Sequence, residues 1–144
     1  MSVPPEVLHV VGQWIEKAER DLIVAEHLLT EANRRLAESV CFHAQQCIEK
    51  YIKGVLALHD IDPPKSHDIG ALAALLPDPG AVMLTVVEQR NATKYATVLR
   101  YPGDYEPITL EEARAAVEMA RRGRASLRTL LPQAILVEPE DECR

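Results

Sequence analysis

Small and apolar residues recur every three or four positions over several stretches of this chain. The clearest stripe lies in residues 37–58 and consists of Val40, Ala44, Cys47, Ile48, Tyr51, Ile52, Val55 and Leu58. This spacing predicts a helix whose apolar stripe is wide enough for more than one neighbour. On another face, Gln46, Glu49, Lys50 and Lys53 predict a solvated polar band in which Glu49 and Lys53 form an i,i+4 ion pair.

Similar stripes predict four further helices around this central one. Their expected bounds are about 6–32, 69–76, 81–99 and 110–131. Prolines precede the first and follow the others, and Thr109 with Glu112 predicts a capping box at the start of the last. Gly123 interrupts that last helix and predicts a close helix crossing or a weak point.

No alternating strand pattern and no internal repeat accompanies these stripes. We therefore predict an all-α fold, an up-and-down four-helix bundle with one extra short helix between the second and third long ones. Residues 1–132 would form this single helical domain. Residues 133–144 would form an acidic, disordered tail.

Composition narrows the classes of function. The chain has 144 residues, of which 47% are hydrophobic and only 4% aromatic, so the core should be aliphatic and rich in alanine. A net charge of −6 argues against a whole-surface nucleic-acid binder but leaves room for a local basic groove. No apolar run reaches the roughly 18 residues that a membrane span needs, which favours a cytoplasmic location. Cys41 and Cys47 should share one helix without a mutual disulfide, as expected for reduced thiols.

Enzyme and metal signatures are absent from the sequence. There is no glycine-rich phosphate loop, no G-x-S-x-G and no H-E-x-x-H, so we assign no catalytic residue and no cofactor. His43 and Cys47 are i,i+4, but no second pair at ligand spacing accompanies them, and no metal is predicted. Asp21 borders the first stripe and is expected to be a solvated or capping carboxylate. His67, in the loop after the central helix, is expected to be solvated or capping.

The candidate binding residues lie in the segment EQRNATKYATVLRYPGDY, residues 88–105. They are Arg90, Asn91, Lys94, Tyr95, Arg100 and Tyr101. Cations, an amide and tyrosines at one helix end suit a phosphate or a stacked base. The alternative is an exposed basic turn with packed tyrosines. A second group of arginines on the last helix is either a solvated face or a surface for an acidic partner or RNA; it comprises Arg114, Arg121, Arg122, Arg124 and Arg128.

The segment CFHAQQCIEKYIKGVLALHDIDPPKSHDIGALAALL resembles the HEPN domain family, with its F-x-x-Q-Q-x-x-E-K-x-x-K-x-x-L helix followed by S-H-x-I-x-x-L. The matching positions are Phe42, Gln45, Gln46, Glu49, Lys50, Lys53, Leu56, Ser66, His67, Ile69 and Leu72. The resemblance extends over roughly residues 10–130 and implies a helical bundle.

Two branches of this family differ in residues 88–105. Ribonuclease members carry R-x4–6-H, often beginning Arg-Asn, and cleave RNA without a metal. In this chain Arg90 and Asn91 stand at the start of that motif, but Tyr95 occupies the histidine position. The chain instead resembles the branch with N-x3-Y followed by R-Y-P. That resemblance implies a small, commonly dimeric protein, often encoded beside a minimal nucleotidyltransferase, for which nucleotide binding has been proposed.

Two functions follow from these observations. The first is a non-catalytic HEPN binding module, paired with a minimal nucleotidyltransferase in a toxin–antitoxin-like system and able to bind nucleotide or RNA. The alternative is a toxin-like, metal-independent endoribonuclease that uses Arg90 or Arg100 with an unusual partner group. In either case we expect a homodimer whose contact lies on the long helices near residues 90–101.

Overall fold

The computed structural model describes residues 2–136, which form five α-helices joined by turns and short 3-10 helices. The helices are α1 (Pro5–Thr30), α2 (Ala37–Leu58), α3 (Ile69–Ala74), α4 (Val86–Ala96) and α5 (Leu110–Arg128). The 3-10 helices are Arg34–Leu36, Pro79–Val82, Val98–Arg100 and Gln133–Ile135. No strand occurs in the described residues, and the predicted all-α bundle is confirmed.

Helix α2 lies at the centre of the bundle. It contacts α1, α3, α4 and α5, and its predicted bounds agree with the structure. The predicted solvated band on this helix is wrong, because Gln46, Glu49 and Lys53 are all buried. A helix with neighbours on so many sides has little surface left for water, so its polar side chains must find partners inside the protein.

Helix α4 is shorter than its sequence pattern predicts. The chain first forms the 3-10 helix Pro79–Val82 and then turns through Met83, whose φ of 56° is left-handed. Thr85 then caps the helix, because its hydroxyl accepts from the Glu88 N–H and the Glu88 carboxylate accepts from the Thr85 N–H. This complete capping box places the start of α4 at Val86 rather than near residue 81.

The capping box predicted for α5 forms only in part. The Thr109 hydroxyl accepts from the Glu112 N–H at 3.1 Å, as expected of an N-cap. The Glu112 carboxylate, however, accepts a hydrogen bond from the Tyr95 hydroxyl at 2.8 Å. The start of α5 is therefore tied to the side of α4.

Helix α5 crosses the core closely at Gly123. A Cβ atom on this residue would lie 2.5 Å from Ile48 Cδ1, 3.2 Å from Leu84 Cδ1 and 3.3 Å from the Val82 carbonyl oxygen. Ile48 is fully buried, so it has little space into which it can move. The predicted close crossing is thus present at this glycine.

The described residues end before most of the predicted tail. Residues 137–144, including Cys143, lie outside the described residues, and the domain boundary after residue 132 stays a prediction. Gln133–Ile135 form a 3-10 helix, and the Leu136 carbonyl accepts from Arg128 at 3.4 Å. Among the helices of residues 2–136, none combines the length and the apolar character that crossing a membrane requires.

A matched pair of glycine substitutions tests the close crossing. Gly123→Ala and Gly12→Ala each gain about 0.5–1 kcal/mol of helix propensity. A Cβ at Gly12 meets nothing within 4 Å, whereas the one at Gly123 overpacks the core at a cost of about 1–3 kcal/mol. We expect Gly12→Ala to raise the free energy of unfolding. The free energy of unfolding of Gly123→Ala should be lower than that of Gly12→Ala by about this packing cost. Urea denaturation measures both, and equal stabilisation of the two variants would contradict the close crossing.

Candidate functional site

The six predicted binding residues lie on α4, on the 3-10 helix that follows it and, for Tyr101, directly after that helix, but they do not share one pocket. Arg90 and Lys94 line a cleft of about 420 Å³, together with Val86, Val98, Asp68 and four other residues. Tyr95 and Arg100 line a different cleft of about 270 Å³. Asn91 and Tyr101 line neither cleft, and the Tyr101 side chain is largely exposed. The predicted group of six is therefore divided by α4 itself.

The first cleft, which we call the α4 cleft, presents two exposed cations. Arg90 and Lys94 are one helical turn apart, and exposed Val86 and Val98 flank them. Asp68 also lines this cleft, but its carboxylate caps α3 by accepting from the Ala71 N–H at 3.0 Å. Within residues 2–136 neither cation has an ion-pair partner, so both are available to an external anion.

Tyr95, which the resemblance aligns with the histidine of the ribonuclease motif, lies in the core. Its side chain is 6% exposed, and its hydroxyl donates to Glu112. Burial, the neighbouring Cys41 and the Glu112 carboxylate raise the pKa of the Tyr95 hydroxyl above its ordinary value. A phenol that stays protonated and hydrogen-bonded is not a general base at neutral pH.

The second cleft, which we call the Arg100 cleft, joins two distant parts of the sequence. Phe42 and His43 come from α2, and Arg100 comes from the 3-10 helix after α4. The guanidinium carbon of Arg100 lies 4.0 Å from the centroid of the Phe42 ring, a cation–π stack. The Phe42 and His43 rings meet edge to face, with centroids 5.2 Å apart. His43 was not among the predicted binding residues.

Asp21 fixes the orientation of His43. The prediction of a solvated or capping carboxylate is wrong, because Asp21 is buried and one of its oxygens lies 2.8 Å from His43 Nδ1. Lys50 donates to the other oxygen at 2.5 Å. Burial alone would raise the pKa of Asp21, but the hydrogen bonds from His43 and Lys50 outweigh it and lower that pKa. Since a carboxylate only accepts, Nδ1 of His43 carries the proton and Nε2 is the ring nitrogen left for the cleft.

The family-motif residues of α2 form a separate, buried polar network. Glu49 lies at its centre and accepts from Gln45 at 3.1 Å and from Lys53 at 3.2 Å. Nδ1 of His67 lies 2.7 Å from the same carboxylate, and Gln46 donates to Gln45 at 2.7 Å. The expected Glu49–Lys53 ion pair is present, and His67 is exposed to solvent as expected while its ring contacts Glu49. These residues join the loop before α3 to the central helix.

The arginines of α5 are largely used inside the protein. Glu19 on α1 accepts from Arg124 at 2.9 and 3.0 Å and from Arg128 at 2.8 Å. Arg122 forms two hydrogen bonds with Glu88 at 2.8 and 2.9 Å, and Arg121 pairs with Glu26 and Glu118. Four of the five arginines thus bind carboxylates of the same chain. The α5 surface is a set of intramolecular ion pairs rather than an open basic patch.

The histidines and cysteines of the described residues do not form a candidate metal site. Among residues 2–136, no three His, Cys, Asp or Glu side chains are placed to hold one metal ion. His43, which is four positions before Cys47, is bonded to Asp21 instead. Cys41 and Cys47 are buried free thiols, and burial with the nearby Glu112 raises the pKa of Cys41 to about 12.

The sequence and fold of this chain are similar to those of known proteins. The sequence profile of the HEPN domain matches residues 11–128, and the chain belongs to the HEPN family. The crystal structure of TT1696 from Thermus thermophilus is similar, with a TM-score of 0.69 and 28% identity over 84% of this chain and 98% of that one. ST0689, described as an archaeal HEPN homologue, gives a TM-score of 0.63 at 28% identity and the same coverage. No curated protein matches the chain.

A matched pair of charge-neutralising substitutions tests the buried network. In Glu49→Gln, the NH2 group of the new amide must face either Gln45 or Lys53, both of which are donors, whichever way the amide turns. In addition, Lys53 keeps a buried charge without its counter-ion. Removing one partner of a buried pair costs about 3–5 kcal/mol of unfolding free energy. Glu118→Gln breaks an exposed pair with Arg121 and should cost about 0–1 kcal/mol. Chemical denaturation compares the two, and a Glu49→Gln variant as stable as Glu118→Gln would be inconsistent with the network.

Proposed function

We propose that this HEPN protein is a non-catalytic binding module that binds nucleotide or RNA through the phosphate groups of the ligand. The observation that carries the proposal is the placement of Tyr95. The position at which ribonuclease members have a histidine holds a buried phenol bonded to Glu112, while Arg90, Lys94 and Arg100 remain exposed close by in the chain. The segment therefore retains cations for phosphate but lacks the base for cleavage.

The charge balance of the protein supports a local anion site. The chain carries a net charge of −6, and the α5 arginines are committed to its own carboxylates. Arg90, Lys94 and Arg100 differ from the α5 arginines, since no carboxylate of the described residues forms an ion pair with them. A charge-assisted contact contributes about 1.5–3 kcal/mol, so two such contacts are enough for measurable binding.

A double substitution tests the α4 cleft. Arg90→Ala/Lys94→Ala should weaken binding of a labelled single-stranded oligoribonucleotide at least about tenfold, because two phosphate contacts are lost. Raising the salt concentration should weaken the wild type more steeply than the variant. Fluorescence anisotropy at two salt concentrations measures both effects.

The control for this experiment removes the same charge elsewhere. Arg34→Ala/Arg35→Ala alters exposed cations before α2 and should change the affinity much less than the α4 variant. An equal loss in both variants would indicate only non-specific attraction. Absence of oligoribonucleotide binding by the wild type would refute the RNA-binding form of the proposal.

The ribonuclease alternative has one observation in its favour. His43 lines the same cleft as Arg100 and is oriented by Asp21, so a histidine from α2 stands near an arginine of the motif segment. Acid–base cleavage of RNA needs a proton acceptor and a proton donor, and this cleft offers a single histidine. We therefore expect no metal-independent cleavage. Intact RNA after incubation with the protein and EDTA agrees with the binding module, whereas cleavage lost in His43→Ala favours the alternative.

The proposal includes a cytoplasmic homodimer and a protein partner. Buried free thiols at Cys41 and Cys47 suit a reducing compartment. Exposed apolar residues at both ends of the α4 cleft, Val86 and Val98, suit a contact with a second copy. Pairing with a minimal nucleotidyltransferase, as in toxin–antitoxin-like systems, is supported by the resemblance to the R-Y-P branch. A nucleotidyltransferase gene adjacent to this one would strengthen that pairing.

Lysine substitutions test the dimer surface. Val86→Lys/Val98→Lys places new charges beside Arg90 and Lys94, so two facing copies would repel each other. We expect the wild type to sediment at twice the 16.0 kDa chain mass and this variant to sediment as a monomer. Val10→Lys/Ile23→Lys changes two exposed apolar residues of α1 and should remain a dimer. A monomeric wild type at micromolar concentration would end the proposal of a dimer.

A further inference from the structure

A cleft at the start of α2 contains a stacked arginine and an oriented histidine that the sequence motifs do not connect. The Arg100 cleft is lined by Glu38, Ser39, Phe42, His43 and Arg100, with Tyr95, Leu99 and Ile108 behind them. Its volume of about 270 Å³ is near the lower end of the roughly 300–1,000 Å³ of small-molecule pockets. A cleft of this size admits a phosphate and part of the group that carries it.

Arg100 is positioned for an anion. Its guanidinium carbon lies over the Phe42 ring, 4.0 Å from the centroid, so the cation–π contact holds the group at the cleft while its N–H donors remain available. Within the part of the chain that the structure describes, no carboxylate pairs with this guanidinium. A planar guanidinium held in this way can donate two parallel hydrogen bonds to one phosphate.

His43 supplies a second donor on the α2 side of the same cleft. Asp21 holds Nδ1 at 2.8 Å, and the Phe42 ring packs edge to face on the imidazole, so the ring has a defined orientation. Lys50 also donates to Asp21 and holds the carboxylate in place beside the imidazole. In the imidazolium form both ring nitrogens donate, and Nε2 then offers a phosphate a charge-assisted hydrogen bond roughly twice as strong as a neutral one.

Glu38 acts against an anion in this cleft. It is the acidic residue among the described lining residues, and it lies in the first turn of α2. A like charge next to a bound phosphate weakens binding, so this carboxylate should limit the affinity of the site. Removing this charge by Glu38→Gln should therefore strengthen the binding of an anion.

We propose that the Arg100 cleft binds the phosphate monoester of a small nucleotide, with Arg100 and His43 as the phosphate ligands. The inference deepens the proposed function and rests on it for the recognition of phosphate. It assigns the small ligand to a cleft separate from Arg90 and Lys94. It also gives His43 and Asp21, which no motif of the binding segment includes, a role in positioning that ligand.

Calorimetric titration with AMP and with adenosine tests this assignment. The wild type should bind AMP, and adenosine should bind at least about tenfold more weakly because it lacks the phosphate. Arg100→Gln should weaken AMP binding at least about tenfold through loss of the guanidinium fork. His43→Asn should weaken it similarly, since the Asn amide can still donate to Asp21 but leaves no donor at the position of Nε2.

Two further variants separate this site from its surroundings. Glu38→Gln should bind AMP several-fold more tightly, an effect that a purely structural role for Glu38 would not produce. Arg20→Gln should bind AMP as the wild type does, because Arg20 is an exposed cation of α1 that pairs with Glu16 and lines neither cleft. Circular dichroism confirms folding, and if His43→Asn does not fold, Arg100→Gln and Glu38→Gln at exposed side chains carry the test.

The possible failures are distinguishable. If the oligoribonucleotide binds through Arg90 and Lys94 but AMP does not bind, the Arg100 cleft is overturned and the proposed function stands. If AMP binds and neither Arg100→Gln nor Glu38→Gln alters its affinity, the ligand lies elsewhere and this assignment is also overturned. Equal affinity for AMP and adenosine would mean that the phosphate is not recognised, and this result would overturn the assignment as well. If neither AMP nor the oligoribonucleotide binds, both proposals fail together.

Discussion

The burial of a polar face of α2 is the constraint on which the rest of the structure depends. A central helix in contact with four others cannot leave Gln45, Glu49 and Lys53 to water, and each must be satisfied by a neighbour. Glu49 meets this need by binding Lys53 on its own helix and His67 from the following loop. Among the described residues, no buried side-chain nitrogen or oxygen lacks a partner. The network therefore fixes the loop before α3 on the core, and with it the position from which α3 supports α4.

The same requirement explains the distribution of positive charge. An acidic protein has enough carboxylates to pair its arginines, and α1 and α4 supply Glu19 and Glu88 to the arginines of α5. These pairs join helices that are far apart in sequence, so they contribute to the tertiary arrangement. Arg100 differs, because it rests on an aromatic ring instead of a carboxylate. A cation that is oriented without being neutralised keeps its capacity to bind an anion.

Periodicity predicted the helices well because it reports which positions face apolar neighbours. It placed α2 correctly but treated Glu49 and Lys53 as solvated, since polarity along one helix does not reveal how many helices surround it. It also extended α4 too far towards the N-terminus; the Thr85–Glu88 capping box was the signal that could have corrected this. The Arg100 cleft could not be predicted from the sequence for a different reason. It joins residues 42–43 to residue 100, and a contact across that separation depends on how helices pack.

The division of the predicted binding residues follows from helix geometry at Tyr95. Lys94 and Tyr95 are adjacent in sequence, so they point about 100° apart around α4, one to solvent and the other towards the core. A tyrosine that turns inward next to Glu112 ties α4 to α5 through a hydrogen bond. Tyr95 therefore has a structural role at this point of α4. The cations on the two sides of that tyrosine are left in separate clefts, and chemistry that needs an arginine and a histidine together is possible only where α2 contributes His43.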